Sequence, residues 1–566
     1  MNTSNFYHKK RTNYSANHQN RDYKLFNGEL FPDKFFGQTE ADIEWDEDKD
    51  LSSKLFIHTE SYDIFKKQSN LFLFGRRGTG KTAIIKMLDY EVKKRVEKGY
   101  TYSKIIAQED TFYKLTLELR NCATNISKSE ITHIIKEKVV WVIYTSAMIS
   151  IVDSNREKIA ANPSLTIISD YLKEMTFIKD EGWILTTSPI VKSVDIFSDH
   201  LQMVGYDPQK AGVALLQANR ELHSKNYENA LNAMVTFLTQ YKESCLVLID
   251  SQELYDFKDK LSEAATTGLM DAVLQIYNQN KTYKVFSKVA FPSEIFPHLN
   301  PTNQSKTRDK GHFIFWGYKD LIAFICRRYC QVLYAEELID IKCDKIENIN
   351  FSEFIYQYLP RNTFTYGGVE FETLPYIISH TQKKPREIIL LFNLILTLAR
   401  KNDISFDTLT SDCIREGTNA RIEDLSSGVL DMYRLIYPKA VDIVNKTFTQ
   451  SSNVLSYGDL QKQLNEANPL LAEAGMTKLD AERLFLETGI IGLLHSETKL
   501  GETKKTLITA EYEYQIKGVL TIQSKNWLII HPIFYQGLNI NVDSDSLVYP
   551  KPSTTEAEEF SSIKFK

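Results

Sequence analysis

Cysteine, proline and glycine are all scarce in this chain of 566 residues, and each shortage excludes a class of protein. Six cysteines are too few for a disulfide scaffold, and their spacing matches no zinc site, which favours a reducing environment. Fifteen prolines and 23 glycines exclude a collagen-like or linker-dominated chain. We interpret Cys326 and Cys330, four residues apart in an apolar helical stretch, as core thiols rather than a redox or metal pair.

Long hydrophobic runs are missing too, since no uninterrupted apolar stretch approaches the ~20 residues of a membrane helix. The first residues, MNTSNFYHKKRTNYS, have no apolar run behind their charges, which predicts no secretory signal. We therefore expect a cytoplasmic protein without membrane contact. Neither sign of charge dominates, because 68 Lys and Arg face 73 Asp and Glu for a net charge of −5. Any contact with nucleic acid would have to be local.

The most specific pattern is a glycine-rich turn with an apolar strand pattern before it, at residues 71–74, and a predicted helix after it, at residues 83–98. The turn matches G-x-x-x-x-G-K-T in full, and its members are Gly75, Arg76, Arg77, Gly78, Thr79, Gly80, Lys81 and Thr82. Glycines let successive backbone N–H groups converge on phosphate oxygens, and the following helix adds its positive end. The turn therefore predicts binding of a nucleoside triphosphate.

Two side chains of this turn have separate predicted tasks. Lys81 supplies a mobile cation for the β- and γ-phosphates, and the Thr82 hydroxyl coordinates Mg²⁺. Mg²⁺ also needs a carboxylate at the end of a buried strand. Asp250 follows the apolar run of residues 245–249 and is preferred to Asp153, which we expect to end a long helix. Glu253 then stands where it could polarise the attacking water, although an ordinary loop acid remains the alternative.

The runs LFLFGRRGTGKTAIIKML, LVLIDSQEL and KVFSKVAFPSEIF resemble bacterial and archaeal P-loop ATPases of the AAA+/STAND group, close to the replication-initiator-like ATPases. The resemblance implies ATP and Mg²⁺ as cofactors, and its D-x-x-D/E arrangement matches Asp250 and Glu253. It places the γ-phosphate sensor at the tip of the third strand, where Ser293 takes that role unless the sensor is missing. Lys384-Pro385-Arg386-Glu387 resembles the sensor-2 motif and implies that Arg386 neutralises γ-phosphate charge. The alternative for Arg386 is a helix-capping salt bridge with Glu387 or another acid.

The segment WLIIHPIF, residues 527–534, resembles the close of a C-terminal winged helix. By analogy with STAND switches, His531 would contact the ADP phosphates, whereas the alternative is a structural histidine in the core, and His495 is a rival position. The local pattern agrees with a winged helix, and its predicted helices and strands are Asp431–Lys446, Tyr457–Ala467, Lys478–Thr488, Ile490–Leu494, Tyr514–Ile522 and Trp527–Ile530. Two cations face three acids in the third helix, so a DNA-binding role is not supported by charge.

Together these patterns predict an α/β P-loop NTPase core with a parallel sheet, helices on both faces, a helical insertion, a helical lid and a C-terminal winged helix. The predicted division is 1–34 as a flexible arm, 35–300 as the core with its insertion at about 154–240, 301–425 as the lid, 426–542 as the winged helix and 543–566 as a disordered tail. An acidic cluster at residues 40–50 is interpreted as a solvated approach segment.

The leading functional hypothesis is an ATP-binding, Mg²⁺-dependent ATPase with slow turnover that acts as a nucleotide-controlled switch. Its expected partners are the nucleotide and either another protein or further copies of itself, bound through the lid and the winged helix. A DNA-binding initiator or motor is the alternative, and a scaffold that binds nucleotide without turnover is a third. A role in anti-phage defence rests on analogy alone.

Overall fold

The structure is a computed structural model of the chain, and it describes residues 33–106, 126–178, 187–250, 260–294, 304–348, 350–364, 370–420, 422–434, 436–437, 439–499, 506–515, 519–543 and 546–550. The strand predicted at residues 112–119 and nearly all of the predicted N-terminal arm lie outside these ranges. No helix among the described residues is long and apolar enough to cross a membrane.

The α-helices of the described residues are, in chain order, α1 (Ala41–Glu47), α2 (Lys49–Leu55), α3 (Glu60–Lys66), α4 (Lys81–Lys93), α5 (Lys128–Ser154), α6 (Pro163–Glu174), α7 (Pro189–Met203), α8 (Ala211–Leu222), α9 (Lys225–Tyr241), α10 (Lys260–Tyr283), α11 (Gln304–Asp309), α12 (Tyr318–Ala335), α13 (Phe351–Ile355), α14 (Thr373–Ser379), α15 (Pro385–Lys401), α16 (Ser411–Asn419), α17 (Ile422–Tyr433), α18 (Ala440–Phe448), α19 (Tyr457–Glu466), α20 (Asn468–Glu473) and α21 (Lys478–Glu487).

The strands are β1 (Phe72–Gly75), β2 (Tyr102–Ile106), β3 (Cys245–Asp250), β4 (Val285–Pro292), β5 (Gly311–Phe313), β6 (Asn362–Phe364), β7 (Glu370–Glu372), β8 (Val454–Ser456), β9 (Ile491–Lys499), β10 (Thr506–Glu511), β11 (Trp527–Ile530) and β12 (Ser546–Pro550). They form sheets with the orders β2-β3-β4-β1-β5, β12-β10-β9-β11-β8 and β6-β7.

The described residues fall into two compact units. The core unit comprises residues 60–77 and 81–314, and the C-terminal unit comprises residues 33–59, 78–80 and 315–550. The predicted boundaries of the lid and the winged helix stay predictions. The described part of the predicted lid begins with residues 304–314, which group with the core unit, and the remainder of the lid and the winged helix group with the C-terminal unit.

The core unit is built on a parallel five-stranded sheet, in which β4 lies between β3 and β1. Every residue of β1 and β3 is buried, which explains their continuous apolar sequences, since a parallel sheet is covered on both faces. The strand register pairs Gly75 with Pro292 and Asp250 with Ala290. This parallel sheet with its helices confirms the predicted α/β P-loop core.

Helices fill the long connection between β2 and β3. Residues 129–152, which are rich in β-branched side chains, lie in the single helix α5, so length decided their structure as expected. A capping box begins this helix, because Ser127 and Glu130 each bond the other's backbone N–H. Four further helices, α6 to α9, cover residues 163–241 and confirm the predicted helical insertion.

A buried lysine fixes the chain just before the glycine-rich turn. Lys288, on β4, donates from Nζ to the carbonyl oxygens of Phe65 and Lys67 at 2.6 and 2.7 Å, and also to that of Asn70. Burial lowers the pKa of Lys288 to about 7. The carbonyls of Phe65 and Lys67 lie at the C-terminal end of α3, so the lysine caps this helix. Its bond to Asn70 fixes the chain just before β1.

In the C-terminal unit, two of the predicted elements are wrong. The predicted helix Asp431–Lys446 is divided into α17 and α18, because Pro438 has no N–H and disfavours helical geometry in the residue before it. The described residues of the predicted strand Tyr514–Ile522, at 514–515 and 519–522, form no strand, and β10 lies earlier. The backbone N–H groups of Tyr512 and Leu520 bond to the side chains of Gln515 and Glu513, which draws them away from strand pairing.

The other predicted elements of this region agree closely with the structure. Helices α19 and α21 and strand β11 occupy the predicted positions, and β9 is longer than expected. Residues 546–550 were predicted to be disordered, but they form β12, which pairs in parallel with β10. The apolar run Leu547, Val548 and Tyr549 explains this, since Tyr549 is buried with its ring 5.1 Å from that of Phe371. The winged-helix assignment itself stays a prediction.

Candidate functional site

The glycine-rich turn joins the end of β1 to the start of α4, as its sequence predicts. Gly78 and Gly80 have φ angles of +85° and +92°, a conformation that other residues adopt only with strain. An ideal Cβ at Gly78 would also come within 3.0 Å of the Arg386 Cβ. The turn therefore needs glycine at position 78 for two reasons, its backbone conformation and the close approach of a neighbour.

Lys81 begins α4 and is buried. Its Nζ donates to the carbonyl oxygen of Gly75 at 2.9 Å and lies 3.4 Å from that of Arg76. The ammonium group is thus held against the first half of the turn, beside the positive end of a helix. Both features suit a site for an anion.

Thr82 and Asp250 are brought together from the start of α4 and the end of β3. The Thr82 hydroxyl donates to Oδ2 of Asp250 at 2.6 Å. Hydroxyl and carboxylate oxygens are the ligands that Mg²⁺ prefers, so this pair fits the ion. Among the described residues no group of three or more His, Cys, Asp or Glu is placed to hold a metal. A cation here would therefore take its remaining ligands from elsewhere, such as phosphate oxygens and water.

The rival carboxylate, Asp153, lies in the last turn of α5 and pairs with Arg156, as expected of a residue that ends a long helix. Glu253 lies outside the described residues. Ser293 directly follows β4 and is half-buried. Its neighbour Glu294 has a contact that the sequence did not predict: Oε1 accepts a hydrogen bond from the Arg77 backbone N–H at 3.0 Å.

In the C-terminal unit, two hydrogen bonds hold the middle of the turn. The carbonyl oxygen of Gly78 accepts from the Arg386 backbone N–H at 3.3 Å, and that of Thr79 accepts from Nε1 of Trp316 at 2.9 Å. These bonds explain why residues 78–80 group with this unit. Arg386, the predicted sensor, therefore lies next to a glycine of the turn.

The Arg386 side chain donates from Nε to the carbonyl oxygen of Thr39 at 2.9 Å. Its neighbour Glu387 forms a buried ion pair with Lys384 at 3.1 Å and accepts from the Gln382 backbone N–H at 2.6 Å. Lys383-Lys384 stands where the resembled group usually has a glycine before Pro-Arg. Lys384 is the N-cap of α15, and its charge is neutralised by Glu387 in the first turn of that helix.

The segment before α1 is anchored along α15. The backbone N–H groups of Asp33 and Phe36 donate to Thr397 Oγ1 and Asn393 Oδ1 at 2.8 and 2.7 Å. Glu44, a member of the acidic cluster, forms a two-pronged ion pair with Arg328 at 2.6 and 2.7 Å. The interpretation of this cluster as simply solvated is therefore wrong for Glu44, because a long-range partner that no local pattern reveals holds it.

Comparison with known proteins finds a family model that matches part of the chain. Residues 40–113, which include the whole turn, match the model described as ORC-CDC6-like. Over this segment the chain is similar to replication-initiator-like P-loop ATPases. A putative transposon gamma-delta 80.3 kDa protein of Escherichia coli K12 is 22% identical over 521 residues, which cover 89% of this chain and 67% of that protein.

Among solved structures, this chain is similar to the ORC2 protein of Aeropyrum pernix in ADPNP and ADP complexes. The two are 11% identical with a TM-score of 0.32, and the match covers 82% of this chain and 91% of that one. Cdc6p of Pyrobaculum aerophilum is 9% identical with a TM-score of 0.28, covering 90% of this chain and 96% of that one. These TM-scores are too low to support an argument about function.

His531 is fully buried, and both ring nitrogens have partners. Nδ1 accepts from the Ile533 backbone N–H at 3.2 Å, which leaves the proton of the neutral ring on Nε2, 2.8 Å from the Tyr514 hydroxyl. The Tyr512 ring packs edge-on against it at 4.7 Å. This placement favours the structural alternative, while contact with ADP stays a prediction. His495 is exposed on β9.

The cations of α21 are engaged by other side chains of the protein. Arg483 donates from Nε to Glu487 at 2.7 Å and also pairs with Glu513, while Lys478 donates to Asn465. Nearby, Lys499 ends β9, and Lys504 and Lys505 lie outside the described residues. The described contacts of α21 therefore add no support for binding to a phosphate backbone.

Proposed function

We propose that this protein binds ATP with Mg²⁺, hydrolyses it, and works as a nucleotide-controlled conformational switch. The observation that carries the proposal is the contact between Thr82 and Asp250 at the end of a complete glycine-rich turn. The two residues lie 168 positions apart, and their pairing is what a P-loop site for Mg²⁺ requires.

Each part of the site has a task in this proposal. The backbone N–H groups around Gly78 and Gly80 and the start of α4 bind phosphate oxygens, and Lys81 exchanges its carbonyl partners for the β- and γ-phosphates. Thr82 and Asp250 hold Mg²⁺, which supplies neutralising charge when it is bound. The affinity for nucleotide then comes mostly from the turn, and the carboxylate serves the reaction.

The switch is proposed to act through Arg386. Its guanidinium bonds to the Thr39 carbonyl, and its backbone N–H bonds to Gly78. A γ-phosphate at the turn would compete for this guanidinium, so ATP and ADP would favour different contacts of the segment before α1. A ligand shifts a conformational equilibrium only through such a difference in contacts. A protein partner, or another copy of the chain, would bind the lid and winged-helix segments differently in the ATP and ADP states.

The assignment is tested by equilibrium binding of ATP to wild type and to Lys81→Ala. We expect the affinity of the variant to fall about 100-fold, as for a lost charged contact of about 2.7 kcal/mol. Lys93→Ala is the matched control, because Lys93 lies on the same helix but is exposed and pairs with Asp89. Undiminished ATP binding by Lys81→Ala would contradict the assignment of the glycine-rich turn as the ATP site.

Binding to DNA is the second candidate. The ORC-CDC6-like match favours it, and the similar Escherichia coli protein carries a transposon name, whereas the engaged cations of α21 oppose it. A salt-dependent gel shift with single- or double-stranded DNA would favour this candidate. The role in anti-phage defence is the weakest part of the proposal, because it rests on analogy and on no residue contact.

A further inference from the structure

The strand order of the core sheet places the tip of β4 at the centre of the candidate site. β4 lies between β3, which ends at Asp250, and β1, which runs into the glycine-rich turn. All three strands are parallel, so their carboxyl ends meet at one edge, where open α/β sheets bind ligands. Because Gly75 pairs with Pro292, Glu294 lies level with Arg77 of the turn.

Glu294 is held at this edge by one oxygen. Its Oε1 accepts the Arg77 backbone N–H at 3.0 Å, and the residue is only 8% exposed. The other oxygen, Oε2, is buried and has no hydrogen-bond partner in the part of the chain that the structure describes. Buried carboxylate oxygens normally have donors, so an orphan at such a place indicates a donor that arrives with the substrate.

The sequence around Asp250 leaves the reaction without an adjacent carboxylate. Ser251 and Gln252 follow Asp250 directly, and the next acid is Glu253. A residue that activates water needs a carboxylate oxygen within hydrogen-bond reach of that water. Glu294 meets the positional condition from the neighbouring strand, with its carboxylate already oriented by the backbone of the turn.

We propose that Glu294 is the catalytic carboxylate of this protein, which orients and deprotonates the attacking water through Oε2. The inference rests on the proposed function, since it names the base of that same site. Glu294 accepts one proton of the water while the water oxygen bonds to the γ-phosphorus. The bond from that phosphorus to the β–γ bridging oxygen breaks, and ADP keeps its electron pair. The proton then passes from Glu294 to phosphate or solvent, which balances atoms and charge.

Glu294→Gln tests the role, because its amide oxygen can still accept the Arg77 N–H while the base is removed. We expect turnover to fall at least 100-fold, within the range for loss of a general base. Affinity for ATP should stay within about threefold of wild type, as for a residue that acts on water rather than on phosphate. The second readout is the bound nucleotide: after incubation with ATP and rapid removal of free ligand, chromatography should recover ATP from the variant and ADP from wild type.

Two further variants keep the test decisive. Glu157→Gln, an exposed glutamate of the same unit, is the control and should behave as wild type. Glu294→Asp keeps a carboxylate but withdraws it by one methylene, so it should retain more turnover than Glu294→Gln. It also provides a measurement if the glutamine variant does not fold.

Several outcomes would overturn the inference while sparing the proposed function. Wild-type turnover in Glu294→Gln, with loss of turnover in Glu253→Gln, would make Glu253 the base. Loss of ATP binding in Glu294→Gln at an unchanged melting temperature would make Glu294 a brace for the turn only. Wild type that binds ATP without releasing phosphate would overturn the inference together with the hydrolysis step of the proposed function, and would leave only the proposed ATP binding. Failure of wild type to bind ATP would instead overturn the proposed function together with the inference.

Discussion

The sequence predicts nucleotide contact in two regions of the chain. The polar side chains of these two regions differ in how completely their hydrogen bonds are satisfied by the protein. At the edge of the core sheet, Lys81 and Glu294 are held through backbone atoms of the turn. One oxygen of Glu294 has no hydrogen-bond partner among the described residues. In the C-terminal unit, His531 has a partner on each ring nitrogen and aromatic rings around it.

The difference separates residues that are positioned for a ligand from residues that complete a core. A buried polar group whose partners are all supplied by the protein gains little from a ligand. A buried group that is oriented but incompletely bonded gains a partner when one arrives. By this criterion we expect the sheet edge to be the functional region and His531 to stabilise the fold of its own sheet.

The largest expected effect comes from Asp250→Asn at the sheet edge. The amide oxygen can still accept the Thr82 hydroxyl, but the negative charge that serves Mg²⁺ is lost. We expect phosphate release to fall about 100-fold or more, with ATP affinity reduced only modestly. Asp153→Asn is the control, because Asp153 lies in the last turn of a helix. If Asp250→Asn keeps the turnover of wild type, the sheet edge is not the region that carries the reaction.

A smaller effect is expected from His531→Ala in the C-terminal unit. Loss of the ring leaves the Ile533 N–H and the Tyr514 hydroxyl without their partner, which costs about 1–3 kcal/mol. A melting curve with and without ADP should show a lower melting temperature and an unchanged shift on ADP addition. Tyr514→Phe, which removes one hydroxyl, should lose less. Intact stability with weakened ADP binding would reverse the comparison and make His531 a nucleotide lock.

The sequence was informative at the sheet edge because the signals there are local. β1, the turn and α4 follow one another directly, and the apolar runs of β3 and β4 identify buried strands without any partner being known. The spacing of Gly78, Gly80 and Lys81 also needs no tertiary knowledge. The strand β1 was therefore predicted to within one residue, whereas the helix predicted at residues 83–98 is observed as α4, Lys81–Lys93.

Glu294 was not predicted as a site residue, because its role depends on register. Its contact with Arg77 spans 217 positions and follows from the pairing of Gly75 with Pro292, which no local pattern contains. The ion pair of Glu44 with Arg328, 284 positions apart, was missed for the same reason. The errors at residues 514–522 and 546–550 arose where side chains bonded backbone groups or a distant strand supplied pairing, as for β12.

The smallest expected effect concerns Arg386. Its backbone N–H bonds to the carbonyl oxygen of Gly78, which groups with the same C-terminal unit. If its guanidinium leaves the Thr39 carbonyl for a γ-phosphate, one hydrogen bond replaces another. The net gain in binding free energy is then only the difference between the two bonded states. We therefore expect Arg386→Ala to lower ATP affinity about tenfold, or about 1.4 kcal/mol, and to leave ADP affinity unchanged. Arg400→Ala is the matched control, since Arg400 lies on the last turn of the same helix and pairs with Glu336. Equal losses for ATP and ADP would assign Arg386 to the shape of the turn, whereas a selective loss for ATP would extend the functional region to α15.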